Sequence, residues 1–331
     1  MNTMKWLVKR EFWEHKGGFF WAPMIVGAIM VFFLAASIVV GVVLGKSHGF
    51  EINGDTVTSL SGAMTPQEAA DFGSGLASGY MGLATPLYMV LAVTVFFFCL
   101  GALFDDRKDR SVLFWKSLPI SDQATVLSKV GVALVGAPLI TIALGTVVSL
   151  LSLLAICIGS ATVGVNEFGT VLSSPGLYAS PFEVAGMLPV YVLWAAPTIG
   201  WLMMVSAWAR TKPFLWAVGL PVFSGLLLVW FNALFNFGWN VRWYWHHIVG
   251  RSLGGTIPGV WFAWHPATNG LGDSIIDGPK GMAIHRHADD MGALMMQSWD
   301  MFRTPDLWIG VAAGAAMIYA AIRLRRWRDE G

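Results

Sequence analysis

Four kinds of side chain in this sequence could carry chemistry. They are seven histidines, a glycine-lysine-serine stretch, a block of six consecutive charges, and one amide inside a long apolar run. The histidines are His15, His48, His246, His247, His265, His285 and His287. Five of them gather between residues 246 and 287. A zinc site needs neutral imidazoles that converge tetrahedrally and are oriented by further hydrogen bonds. Neither HExxH nor another standard spacing occurs. We therefore read the histidines as solvated or interfacial and assign no metal ligand. "GVVLGKS" at 41–47 places three residues between Gly41 and Gly45, where a phosphate-binding loop needs four to wrap a phosphate with its amides. "LSGAM" at 60–64 is a chance echo of an ATPase signature. The expectation is a chain that is not an enzyme and holds no cofactor.

The elements around these residues are apolar. The sequence is 56% hydrophobic and 12% charged, with a mean hydropathy of +0.62. Long uncharged runs read as membrane-crossing helices, because lipid requires each segment to close its own backbone hydrogen bonds. Six such runs fall near 19–44, 81–104, 130–158, 184–209, 214–235 and 307–322. The expected fold class is an all-α integral membrane protein forming one transmembrane domain, with a long outer segment at 236–306. The last run is short, about 24 Å, so Arg323 and Arg325 are expected to snorkel to the interface. Cys99 and Cys157 fall inside runs and read as small buried hydrophobes. Prolines 23, 86, 138, 189, 197 and 221 interrupt runs, which points to kinked, mutually packed helices. Lys9, Arg10, Glu11, Glu14 and Lys16 precede the first run with no cleavage pattern after it, so no signal peptide is expected.

Charge sets the expected orientation. With both termini in the cytoplasm, the inner segments 1–18, 105–129, 210–213 and 323–331 hold 15 of the 21 Lys and Arg residues. The first two outer segments hold only Lys46. Acids at membrane depth would mark an ion relay, and none sits in mid-run. Asn232 is the main polar side chain deep in the fifth run, where an interhelical hydrogen bond and a substrate contact both fit. With Trp230 beside it, it is the candidate lining of a substrate pathway. The bundle lacks the polar core of an ion-coupled pump.

The block of charge is Asp105, Asp106, Arg107, Lys108, Asp109 and Arg110, followed by Val112, Leu113, Phe114, Trp115 and Lys116 and then "SLPIS" at 117–121. Residues 112–118 can form about two helical turns. Pro119 forbids continuation, and Ser121 is a good N-cap for the next helix, with Asp122 favourable in its first turn. A short helix between two spans, carrying two large aromatics and mixed charge, suits a groove on another protein. A loop anchored in the headgroups by Phe114 and Trp115 is the other reading.

This order of features resembles the permease subunits of ABC-2-type transporters. In that family an acidic-basic run, a short apolar helix and an "S-L-P-I-S"-like end lie between spans two and three. The six-span layout covers the whole chain. Arg110 stands where the family commonly has glycine. The resemblance implies that residues 105–110 with Phe114, Trp115, Lys116 and Pro119 couple the chain to a cytoplasmic ABC ATPase subunit, two copies per assembly. It implies a second permease chain, identical or closely related, and a place in the cell inner (plasma) membrane with no nucleic-acid partner. It also implies an N-terminal interfacial helix over 2–16, whose Trp6, Lys9, Arg10, Glu11 and Trp13 suit headgroups or a cytoplasmic partner. A re-entrant element is implied in the apolar part of 253–272, where an interfacial aromatic loop fits the residues equally well. The function implied is export of an amphipathic or hydrophobic substrate, powered by a separate ATPase. A membrane sensor or assembly scaffold with a ligand-binding outer segment is the alternative, and a membrane enzyme using the outer histidines a third.

Overall fold

The computed structural model describes residues 3–52, 55–57, 65–109, 121–264 and 291–328. Six helices in it are long and apolar enough to cross a membrane: span 1 (Gly17–Ser47), span 2 (Gln67–Lys108), span 3 (Asp122–Thr162), span 4 (Pro175–Trp208), span 5 (Pro213–Phe235) and span 6 (Pro305–Trp327). The chain is an all-α multi-pass membrane protein. A two-stranded antiparallel ladder after span 1, Phe50–Ile52 against Asp55–Val57, is a small addition to it.

The prolines interrupt the spans as expected. Pro23, Pro86, Pro138 and Pro189 each lie inside a span, where a new α-helical stretch begins. Each ring removes one backbone hydrogen bond of the continuing helix. The first three follow a π or 3-10 turn: Gly17–Trp21, Tyr80–Ala84 and Val132–Gly136. These turns absorb the change in backbone pitch. Pro197 and Pro221 sit within uninterrupted α-helical stretches.

Span 4 is the centre of the bundle. Trp194, Ala195, Ile199, Leu202 and Met203 are fully buried on it, against Val95 and Cys99 of span 2, Ala133 of span 3, and Leu307 and Ala321 of span 6. Spans 4 and 6 cross with almost no side chain between them. A Cβ added at Gly200 would stand 2.6 Å from the Gly314 carbonyl oxygen, and one added at Gly314 would stand 2.6 Å from the carbonyl carbon of Ala196. Close packing of small residues is how membrane helices associate when water supplies no driving force between them. Spans 1 and 5 are peripheral and present Phe32, Phe33, Phe223 and Trp230 outward. Cys99 and Cys157 are buried free thiols in separate apolar clusters.

Span 6 corrects one expectation. Its helix runs Pro305–Arg328, 24 residues or about 36 Å, and needs no snorkelling to cross. Arg325 is 5% exposed and turned into the protein, while Arg323 stays outside over the rings of Tyr319 and Trp327.

The segment before span 6 folds back into the bundle, and does so earlier than 253–272. Helical turns at Val241–Tyr244, Trp245–Gly250 and Arg251–Gly254 lead inward. At its deepest, Thr198 Oγ1 donates to the Arg251 carbonyl (2.6 Å) and accepts from the Gly255 N–H (3.0 Å). Thr198 lies ten residues into the helix Leu188–Trp208, about 15 Å from its start. The Arg251 guanidinium is buried 4.1 Å over the Trp194 ring, and it donates to the Asp306 carbonyl. Arginine keeps its charge in proteins, and the Asp306 carboxylate lies close enough to favour it here. The rest of 253–272, from residue 265, lies outside the described residues.

Candidate functional site

The N-terminal helix, Thr3–Glu14, lies along the start of span 3. Its inner face is Leu7, Val8, Glu11 and Phe12, with Leu7 and Glu11 buried. Its outer face carries Trp6 and Trp13, both more than half exposed, with Lys9 over the Trp6 ring and Lys16 over the Trp13 ring. The pattern suits an interface for the outer face. Glu11 departs from the sequence reading: it is 0% exposed and therefore closed to an external partner.

A carboxylate taken fully out of water must be paired. Lys129 of span 3, itself 2% exposed, places its Nζ 3.0 Å from Glu11 Oε2, and Arg10 also contacts Glu11. The same Lys129 Nζ lies 3.5 Å from Asp106 Oδ1 at the end of span 2. Asp106 Oδ2 accepts from Arg325 Nη1 of span 6 at 3.2 Å, and Arg325 Nε donates to Asp122 Oδ1, also at 3.2 Å. Glu11, Asp106 and Asp122 thus join Arg10, Lys129 and Arg325 in one connected chain of ion pairs, which Arg10 extends to Glu14 at 3.6 Å. It ties together the N-terminal helix and the ends of spans 2, 3 and 6. These ends share one side of the bundle, as alternating crossings require.

The six-charge block is divided by the fold. Asp105, Lys108 and Asp109 are exposed. Asp106 is drawn into the network. Arg107 is committed to span 4, donating to the carbonyls of Ser206 (2.5 Å) and Ala209 (3.0 Å). Those are last-turn acceptors without intrahelical partners, which a nearby cation satisfies. Ser206 Oγ returns the favour by accepting from the N–H groups of Leu103 and Phe104, each at 3.0 Å, where span 2 breaks before the short helix Phe104–Lys108. So Asp106 and Arg107, read from sequence as part of a coupling segment, are half-buried and also hold the bundle end together. Ser121 caps span 3 as expected, accepting from Ala124 N–H at 3.2 Å. Arg110, Phe114, Trp115, Lys116 and Pro119 lie outside the described residues. The described chain stops at 109 and resumes at 121, so Asp106 and Asp122 are anchored on either side of that segment, and Arg325 holds both.

Among the described residues Asn232 makes no interhelical hydrogen bond. Its Oδ1 accepts from the Trp239 N–H at 3.0 Å, closing the turn after span 5 where Asn236 takes a left-handed conformation. Trp230 points outward, packed on Phe231. The structure does not bring these two into a common pathway. His15 packs edge-on against Phe98 at 4.7 Å, His246 lies against Trp264 at 4.2 Å, and His247 stacks on Trp243 at 5.1 Å. Among the described residues, the grouping with ligand-like spacing is Glu11, Glu14 and His15. Its Glu11 is already held by Lys129. His265, His285 and His287 lie outside the described residues.

Sequence reasoning missed Lys129, Arg325 and Asp122 as members of a network. The available signal was Glu11 itself, a lone charge on the face of Met4, Leu7, Val8 and Phe12. No family model matches this chain, and no curated protein or solved structure matches it either.

Proposed function

We propose that this chain is the membrane-spanning permease subunit of an ATP-driven exporter. A separate ATPase subunit docks on the 105–121 segment, and two permease chains form the assembly. Both termini and the charged end lie in the cytoplasm, and the membrane is the cell inner (plasma) membrane. The substrate is amphipathic or hydrophobic, because fixed charge is scarce among the apolar helices. One observation carries most weight: the segment is bracketed by Asp106 and Asp122, both bound to Arg325, with Asp106 linked through Lys129 to Glu11. A push on such a segment acts on spans 2, 3 and 6 and the N-terminal helix together, which is what a switch between two discrete packings requires. The chain's own sequence offers no correctly spaced phosphate-binding loop, so the ATPase must be another chain.

Truncating Phe114 and Trp115 together to alanine tests the reading. Burying one such aromatic is worth about 1.5–3 kcal/mol, so the double variant should release a co-purifying ATPase or uncouple its hydrolysis from transport while the bundle still folds. Wild-type partner binding and transport in that variant would sink the docking reading and leave the patch a headgroup anchor. Orientation has its own check. A cysteine probe at Gly278 should react with an impermeant reagent outside sealed cells, and one at Arg110 should not. Labelling at Arg110 would invert the topology.

A further inference from the structure

Span 5 begins beside the charged end of the bundle. Arg107 donates to the Ala209 carbonyl there, and the chain turns through Arg210, Thr211 and Lys212 into the span. A groove of about 450 Å³ runs from this turn along the outer face of the helix. Lys212, Leu215, Gly219 and Phe223 succeed one another along it at helical spacing. A Cβ added at Gly219 would meet nothing within 4 Å, so the missing side chain leaves the groove open at mid-length.

The groove has an apolar body and a cationic end. Leu215, Trp216, Leu220 and Phe223 line the body and are all exposed. At the end, Thr211 supplies a hydroxyl and Lys212 an ammonium, with exposed Arg210 two residues before it. Other cations at this side of the bundle are committed: Lys129 and Arg325 to acids, Arg107 to carbonyls. Among the described residues Arg210 and Lys212 hold no acid, and span 5 itself contains none. The complement of such a groove is hydrocarbon along its body and an anion at its end.

Its length agrees with one leaflet. From Lys212 to Phe223 the helix rises about 16 Å, and half the hydrocarbon core of a bilayer is about 15 Å. Trp208 packs edge-on against Trp216 at 5.0 Å, close to the turn, and tryptophan is enriched at the membrane-water boundary. A phosphate at Lys212 therefore sits at headgroup level while its acyl chain follows the groove toward the bilayer centre. An apolar cavity of about 150 Å³ holds one benzene ring, so by that scale this groove holds about eighteen carbon atoms, a single acyl chain. A second copy of the protein fits less well. Two-fold pairing across this face would set like cations against each other with no acid on span 5 to offset them.

We propose that this groove binds an anionic phospholipid, its phosphate held by Lys212 and Arg210 and its acyl chain lying over Gly219. The site rests on the six-span architecture and needs neither the ATPase nor transport. In the orientation proposed above it opens to the cytoplasmic leaflet, where anionic lipids lie.

The test uses the purified full-length chain in phosphatidylcholine nanodiscs that carry a diazirine-bearing lipid, either phosphatidylglycerol or phosphatidylcholine with the same chains. Labelling of the peptide 213–224 should favour phosphatidylglycerol at least about fivefold, the scale of one cation acting on an anionic lipid. Lys212→Asn combined with Arg210→Gln should bring the two lipids to parity. Asparagine is the replacement at 212 because Lys212 is left-handed, with a φ of 48°, a conformation that asparagine tolerates. Gly219→Leu should remove most of the labelling by both lipids while the melting temperature stays at the wild-type value, since its added side chain enters open space. Equal labelling by the two lipids in the wild-type chain, or a preference that survives the double substitution, would overturn the site. Suppression by soluble glycerol 3-phosphate would make the ligand a free anion and overturn the lipid. A dimer that Gly219→Leu splits, with no labelling of 213–224, would place a second copy in the groove instead.

Discussion

Replacing Lys129 with methionine should destabilise the protein by about 3–5 kcal/mol, the usual cost of removing one partner from a buried ion pair. The methionine keeps the length and apolar stem of lysine, so the loss is one of charge and not of volume. It strands Glu11, whose carboxylate is completely out of water, and removes a cation that holds Asp106. Arg10 still touches Glu11, but the inner oxygen facing span 3 is left bare. The expected readout is a lower melting temperature in detergent and a smaller monodisperse fraction. Combining Lys129→Met with Glu11→Gln should recover much of the loss, because the stranded charge is then gone; the coupling energy follows from the double-mutant cycle. A single variant that melts like wild type, with no gain from the second substitution, would show that the network carries little. Under the transport reading, the double variant should fold yet couple poorly, since the link from the N-terminal helix to the end of span 2 has been cut.

Gly314→Leu should be at least as damaging, about 3 kcal/mol or more, at the upper end of overpacking costs. A Cβ at residue 314 would lie 2.6 Å from the Ala196 carbonyl carbon and 2.8 Å from the Pro197 nitrogen. Both are backbone atoms, so no rotamer change can relieve the clash. Spans 4 and 6 would have to separate, opening the most tightly packed crossing of the bundle. Gly41→Leu is the internal control, because a Cβ there meets nothing within 4 Å on the outer face of span 1. Loss of monodisperse protein for Gly314→Leu, with wild-type behaviour for Gly41→Leu, is the expected pair of results. Comparable stability of the two variants would mean that the crossing is looser than the structure has it.

The apolar runs alone determined that this is a six-span helical protein, and also the order of its spans. That follows because a helix in lipid must be long, apolar and internally hydrogen-bonded whatever it packs against. The N-cap at Ser121 was legible for the same reason, being a local matter of one hydroxyl and a helix start. The role of each charge near the ends was not legible. Residues 105–110 look alike in sequence, yet Asp106 and Arg107 turn inward while Asp105, Lys108 and Asp109 stay in solvent. What separates them is the direction each takes from a short helix whose partners on other spans are 23 to 219 residues away. Arg325 is likewise indistinguishable from Arg323 by sequence, and only the packing of span 6 against spans 2 and 3 makes one an anchor and the other an interface residue. Prolines 23, 86, 138 and 189 signalled breaks, but the break could fall before or after each of them until the adjoining π and 3-10 turns placed it before the first three. The inward course of the segment around Arg251 depended on Thr198, Trp194 and Asp306, which come from two different spans. Local rules set what each stretch becomes. Which charges are buried together is a property of tertiary contacts, because a charge leaves water only where a distant partner meets it.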